Sequence, residues 1–366
     1  MTSHRRLLLF SLTAAITCGT SAPAQSKNRQ QPPLLAARNA VVDLESGKST
    51  RLPGIKGYVV RADARNDSVF DVANLNVDVA TSTQVRTTKQ HVLLETLSGK
   101  AKWSVALESL ALASQPGVHD RRLTKERVLV KSAGSIIALE RATGNVAWRQ
   151  DHGRTQAWTV RGGLLVTVTQ DTDGSVLRVM SLQNGALASQ VKLEAQPQAI
   201  VIGDHGIAVA SQQQLRVFDR FGPELFKQTG SGTVVAHPDG WIVLRDATLS
   251  LLDRQGEAMW HAKMTKPKFL NSHELHVTAT GNVILTTHHF MSDSGVFCQA
   301  FDGKSGEQQW TRQLAGLGIP HSKYFHHAYA RSRKGVVDII SQGSGGAFVV
   351  TLDAGSGAQA QRIKVQ

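Results

Sequence analysis

The sequence predicts an all-β fold, a β-propeller built from four-stranded antiparallel blades, and three observations carry that prediction. A short unit recurs along the chain at propeller spacing. The stretches between its copies divide into short, β-branched strands bounded by turns. No long helical period competes with them.

The cleanest copy of the unit is Ala300-Phe301-Asp302-Gly303-Lys304-Ser305-Gly306-Glu307-Gln308-Gln309-Trp310. An apolar strand runs into Asp302, turns over Ser305 and Gly306, and returns to Trp310 four residues after the glycine. The same order appears as Glu140, Gly144, Trp148 and as Glu95, Gly99, Trp103. Two copies drop one turn residue: Asp253 to Gly256 with Trp260, and Asp219 to Gly222 with Phe226. Near the ends the aromatic is lost and the turn remains, as Asp43 to Gly47 before Arg51 and Asp353 to Gly357 before Gln361. A worn copy surrounds Gly185. The turn glycines are thus about 35 to 50 residues apart, a period of propellers and solenoids.

Each part of the unit has a physical reason. Glycine supplies the positive φ of a tight turn without a Cβ clash. The Asp, Ser or Thr ahead of it can hydrogen-bond the turn's own backbone. Tryptophan offers a large flat surface to bury between sheets, with an N–H that can find a carbonyl. This pattern resembles the quinoprotein-type, or PQQ-like, propeller repeat, Ala-x-Asp-x-x-Thr-Gly-x-x-x-Trp. The 300–310 copy follows it with Ser305 for Thr, and the 138–148 copy with Glu140 for Asp. The resemblance covers roughly residues 39 to 365. It implies the fold, and it leaves function open between enzymes, outer-membrane assembly lipoproteins and scaffolds.

Strands show through within each repeat. Residues 233–237, a turn at Pro238-Asp239-Gly240, then 241–244 read as two inner strands, followed by 249–253 and 257–262. The preceding repeat is parallel, from 199–202 through Gly203-Asp204-His205-Gly206 to 207–210 and 215–218. Residues 105–112 can make one helical turn. Seven intervals between turn glycines predict seven blades. The 39–52 copy is left over, either adding outer strands that close the ring or forming an eighth blade.

Residues 1–24 read as a secretory signal, with His4-Arg5-Arg6, a short apolar stretch from Leu7 to Ile16, and Ala22-Pro23-Ala24 before the cleavage point. The expected localisation is periplasmic or secreted. Ile16-Thr17 before Cys18 fits a lipoprotein signal poorly, so lipidation at Cys18 is not expected. Residues 25–38 read as a flexible lead-in and 39–366 as the propeller. No further segment is apolar and long enough for a membrane helix. Cleavage leaves 39 Lys and Arg against 28 Asp and Glu. A surface that basic can attract anionic headgroups, an acidic glycan or an acidic envelope protein. Nucleic acid is not expected in that compartment, and the chain is expected to be a monomer. After cleavage only Cys298 remains, in a predicted strand, and reads as a buried small hydrophobe.

No catalytic motif is present: no Gly-x-Ser-x-Gly elbow, no phosphate-cradling glycine loop, no His-Glu-x-x-His, no Cys-x-x-Cys-His. No catalytic residue and no cofactor are therefore predicted. PQQ and a divalent metal stand as alternatives. Many quinoprotein dehydrogenases carry an adjacent-cysteine disulfide at the cofactor, which this chain cannot make. One stretch is unusual, because seven histidines lie between 273 and 327: His273, His276, His288, His289, His321, His326 and His327. Placed at strand ends and connectors, all seven could gather on the face opposite the Ser/Thr-Gly turns. Imidazoles are common metal ligands, and His288, His289, His326 and His327 are the candidate set. Adjacent histidines on a strand point to opposite faces, so one of each pair at most could join a site. The same residues also read as ordinary polar strand ends. His321, Tyr324, Phe325 and Arg331 are candidates for partner contact, since aromatics and arginine are enriched at interaction hot spots. The leading expectation is a non-enzymatic envelope scaffold. The alternative is a quinone- or metal-dependent enzyme with its site at the channel mouth.

Overall fold

A strand with one dry face must find a second sheet to cover it, and here the cover comes from the neighbouring repeat. The computed structural model describes residues 34–37, 40–52, 60–62, 69–72, 75–112, 120–132, 134–172, 174–264, 270–289, 295–314, 327–343 and 346–365. Over these residues eight antiparallel sheets follow one another along the chain. Blades 3 to 8 have four strands each, paired in sequence order. Their innermost strands are Asp120–Leu123, Thr155–Arg161, Ala199–Gly203, Thr233–His237, Leu270–Val277 and His327–Arg333. Their outermost strands are Val146–Asp151, Leu187–Leu193, Glu224–Thr229, Ala258–Lys263, Gln308–Leu314 and Gln359–Val365. The successive innermost strands of blades 4 to 8 touch, which sets them around a central channel.

The expected count of seven blades is corrected to eight. Leu34–Ala37 pairs with Ala40–Asp43, which pairs with Ser49–Arg51, so the first copy of the unit makes a three-stranded blade of its own. The physical reason is burial. Leu35, Val42 and Leu44 pack into one apolar cluster with Val349, Ile363 and Val365 of blade 8 and Val77 of blade 2. Every turn glycine therefore marks a blade, whereas intervals between glycines undercount by one. Blade 2 departs in the other direction, with six strands. Its strand Leu75–Asp78 holds the inner position beside blade 3, and Val60–Ala62 and Val69–Val72 extend the sheet beyond it. Residues 105–112 do contain one short turn, the 3-10 helix Glu108–Leu110.

The core is a ring of interfaces rather than one centre. Among the described residues each apolar cluster joins neighbouring blades, for example Ile242, Leu251 and Trp260 of blade 6 with Val283, Leu285 and Phe301 of blade 7. The second strands of the blades are nearly continuous in burial, while the outermost ones are largely exposed with a buried residue at intervals. That follows from their place, since an outermost strand has one edge in solvent.

The repeat unit is what fastens one blade to the next. Trp103, Trp148, Trp260 and Trp310 each donate the indole N–H to a turn carbonyl of the following blade, those of Arg141, Leu182, Gly303 and Ala354, at 2.9–3.0 Å. Each ring lies under that blade's turn glycine: Trp103 under Gly144, Trp148 under Gly185, Trp260 under Gly306, Trp310 under Gly357. Phe226 sits likewise under Gly256. Asp302 holds its turn by accepting the N–H groups of Lys304 and Ser305 at 2.9 and 2.8 Å. Asp43, Asp253 and Asp353 accept turn N–H groups in the same way. The Ser305 and Lys304 N–H groups hold the Asp302 carboxyl below the usual carboxylate value, and the Ser356 and Ser46 side chains, with turn N–H groups beside them, do the same for Asp353 and Asp43.

Candidate functional site

The innermost strands of blades 3 to 8 line a channel cavity of about 980 Å³. Its wall is amphipathic. Ile200, Val235 and Leu275 contribute apolar surface, while Arg122, Arg161, His273, Glu274 and His276 contribute charge or hydrogen bonding. A smaller cleft of about 600 Å³ opens between blades 3 and 4, among Lys125, Arg127, Arg161 and the Gly162-Gly163 turn.

The imidazoles of the channel are already committed. His273 Nε2 lies 2.7 Å from the Thr233 hydroxyl. His276 Nε2 accepts the Ser332 N–H at 3.0 Å. His237 is buried; its Nε2 donates to the Gly281 carbonyl at 2.8 Å and its Nδ1 accepts the Asp239 N–H at 3.1 Å. Two bonds of opposite sense fix the neutral tautomer. Burial pushes His237 and His273 below the ordinary histidine value. The His237 and His276 bonds belong to a series on the turn side of the ring. Arg161 reaches the Ile202 carbonyl at 2.7 Å, and His205 reaches the Pro238 carbonyl. His237 reaches blade 7, and His276 reaches blade 8. Each links one blade to the next. His205 and His237 escaped the sequence analysis, since a single histidine in a turn has no spacing to betray it. The signal available was their shared place, in the first turn of consecutive repeats.

Most of the predicted site residues lie outside the described side chains. His288 and His289 end the second strand of blade 7, in register with Ser272 and Leu270. His327 opens the innermost strand of blade 8. The side chains of these three lie outside the description, as do residues His321, Tyr324, Phe325 and His326 altogether. His276 is placed differently from the expectation. It lies one residue from the turn end of its strand, whereas Leu270, the partner of His289, lies at the other end. The two groups therefore sit at opposite ends of blade 7. Arg331 is buried at 4% exposure within its strand, so it faces the protein interior rather than the connector surface where partner contact was expected.

Among the described residues no three His, Cys, Asp or Glu side chains converge closely enough to hold a metal ion. The donor set does not fit the disulfide-bearing quinone sites either. Cys298 is fully buried in the third strand of blade 7, and burial pushes its thiol upward, away from the thiolate. Among the described residues no helix is long and apolar enough to cross a membrane.

Eight blades, four of whose junctions join a turn glycine to an outer-strand tryptophan, give the chain the architecture of a PQQ-like propeller. Residues 72–199 match the family described as outer membrane protein assembly factor BamB. With the repeat unit and the fold, that match makes the chain similar to the PQQ-like propellers. Solved structures share the architecture at low identity. Apo AztD from Citrobacter koseri superposes with a TM-score of 0.54 at 12% identity, covering 89% of this chain and 91% of that one. BamB from Moraxella catarrhalis gives 0.50 at 13%, covering 84% and 92%. The WD40 domain of SCAP from fission yeast gives 0.51 at 10%, covering 84% and 87%. At such identities the likeness is one of fold. No curated protein matches the sequence.

Proposed function

We propose that this protein is an exported, non-enzymatic propeller that acts as a protein-interaction scaffold in the cell envelope, in the biogenesis of that envelope. One observation carries the reading: the match of residues 72–199 to a family described as an outer-membrane assembly factor. The secretory character of residues 1–24 supports the compartment. The channel suits the role, because its described histidines serve as bonds between strands and blades. Rigid blades presenting variable loops suit partner binding.

Native mass spectrometry of the protein, purified from its own host's envelope fraction, tests the reading. The expected spectrum is a chain beginning at Gln25 that retains another protein. A stoichiometric metal or quinone mass would overturn the scaffold in favour of an enzyme.

A further inference from the structure

Every aromatic that fastens one blade to the next occupies the same place in the strand pairing. It stands opposite the residue two places before the one that opens the turn. Trp103 faces Leu94, Trp148 faces Ala138, Phe226 faces Val217, Trp260 faces Leu251 and Trp310 faces Ala300. In blade 1 the turn opens at Asp43, so that place lies opposite Val41 and belongs to Thr50. Counted along the chain from Gly47, the tryptophan's place falls to Arg51. In space it falls to Thr50, because blade 1 pairs in unbroken register where the other seven blades skip a residue.

The acceptor of the latch repeats as well. Arg141, Leu182 and Ala354 give their carbonyls to an indole. The same three residues give their own N–H groups to the first turn of their blade, at Glu126, Gly163 and Gly335. In blade 2 that N–H bond runs from Leu97 to Ser82 at 3.1 Å, which makes Leu97 the equivalent acceptor. Among the described residues nothing donates to the Leu97 carbonyl. Gly99 of that turn is exposed, whereas Gly144, Gly185, Gly306 and Gly357, each with an indole beneath it, are buried.

A cavity of about 260 Å³ lies between these two places. Leu34, Val41, Thr50 and Leu52 of blade 1 and Leu97 of blade 2 wall it. Of its two charged lining residues, Asp43 is spent on its own turn and Lys48 is exposed. A dry apolar cavity of about 150 Å³ already holds a benzene ring, so an aromatic side chain fits. The molecule itself shows which one. Four other junctions fill the equivalent place with an indole that satisfies the equivalent carbonyl, and an open carbonyl beside apolar walls favours a ring that carries an N–H. Neither this chain nor a second copy has such a ring to lend. Of its six tryptophans, four are latches, Trp241 is fully buried and Trp158 donates to Asp120 at 2.5 Å. We propose that this pocket between blades 1 and 2 takes a tryptophan side chain of a partner polypeptide, its indole N–H donating to the Leu97 carbonyl, which rests on the scaffold reading above.

The test uses the full chain as exported, wild type and Thr50→Trp, with two probes: N-acetyl-5-fluorotryptophanamide and its 1-methyl derivative, which lacks the indole N–H. Fluorine NMR should show saturable binding of the first probe to the wild type at about millimolar concentration or below. The 1-methyl derivative should bind about fivefold more weakly. Thr50→Trp should melt above the wild type, because it fills the cavity from within, and should bind neither probe. Thr50→Phe fills the same space and is read in its place if the tryptophan variant does not fold. No saturable binding, equal affinity for the two probes, or undiminished binding to the filled variant would overturn the proposal. Native mass spectrometry of Thr50→Trp beside the wild type separates the two ideas. A partner retained undiminished by the variant sinks the pocket alone. A wild-type protein that retains no partner sinks the scaffold, and with it the source of the tryptophan, even where the probe binds.

Discussion

At Gly306 two independent constraints meet in one residue. Its φ is +73°, and a Cβ built there would fall 2.6 Å from ring carbons of Trp260 on the preceding blade. Gly335 has nearly the same φ, +74°, with nothing within 4 Å of its Cβ position. Gly335→Ala should therefore cost only the backbone strain, about 1 kcal/mol. Gly306→Ala should cost about 2–4 kcal/mol, because the ring must also move. Urea unfolding of both variants reads the difference, and equal losses would show that the ring contact is soft. Much at this scale was legible in the sequence. Asp302, Gly306 and Trp310 could be assigned turn, left-handed backbone and buried indole from residue type and spacing alone. What spacing could not supply was the address of the indole. Trp310 reaches Gly357, the glycine of the next unit, and only the closed ring brings those two together.

Between blades, polar bonds add to the apolar clusters, and two of them give separable predictions. Arg141 in the third-to-outermost turn of blade 3 donates to buried Asp78 of blade 2 at 2.9 Å and to the Thr124 carbonyl at 2.7 Å. Arg141→Met should cost about 2–4 kcal/mol, since a buried carboxylate loses its cation. Adding Asp78→Asn should recover part of that loss; a double variant no better than the sum of the singles would mean the two do not act together. His237 gives a pH dependence. Burial holds it neutral in the fold, below the ordinary 6.5 it regains when unfolded. Below 6.5 the unfolded chain takes up a proton that the native state refuses, so stability is full above that pH and declines as pH falls towards the native value. His273 and His152 are shifted in the same direction by burial. His237→Gln should shrink the loss of melting temperature on acidification, and parallel slopes for variant and wild type would refute the assignment. Of these elements, strand positions were legible because alternation and turns are local. The interblade bonds were not, since Arg141 and His237 find partners 63 and 44 residues away.

Ring closure is a property of the whole molecule, and it explains why the blade count was the hardest feature to read. Each described sheet takes its strands from one continuous segment, so among the described residues no strand exchange joins the two ends of the propeller. Blade 1 has three strands, and in the repeat unit Arg51 and Gln361 stand where blades 2, 3, 5, 6 and 7 carry a docking aromatic. At Gly47 the nearest atom to a Cβ is Ile363 Cγ1 at 3.9 Å, with no ring beneath the turn. Closure therefore depends on the apolar cluster of Leu35, Val42, Val349 and Val365. Such a seam should open at lower free energy than the tryptophan-latched junctions of blades 6, 7 and 8. Native-state hydrogen exchange should find Ala40–Asp43 and Ser49–Arg51 exchanging through a partial opening, while Thr248–Leu252 of blade 6 exchanges only with global unfolding. Val42→Ala, at a fully buried position, should lower that opening energy by about 2 kcal/mol, a rise in exchange rate of roughly thirtyfold. The rise should extend to Gly346–Asp353 on blade 8, which shares the cluster, and leave Thr248–Leu252 unchanged. An equal rise in all three segments would mean that the ring unfolds as one unit and that its apolar seam is as strong as its latches.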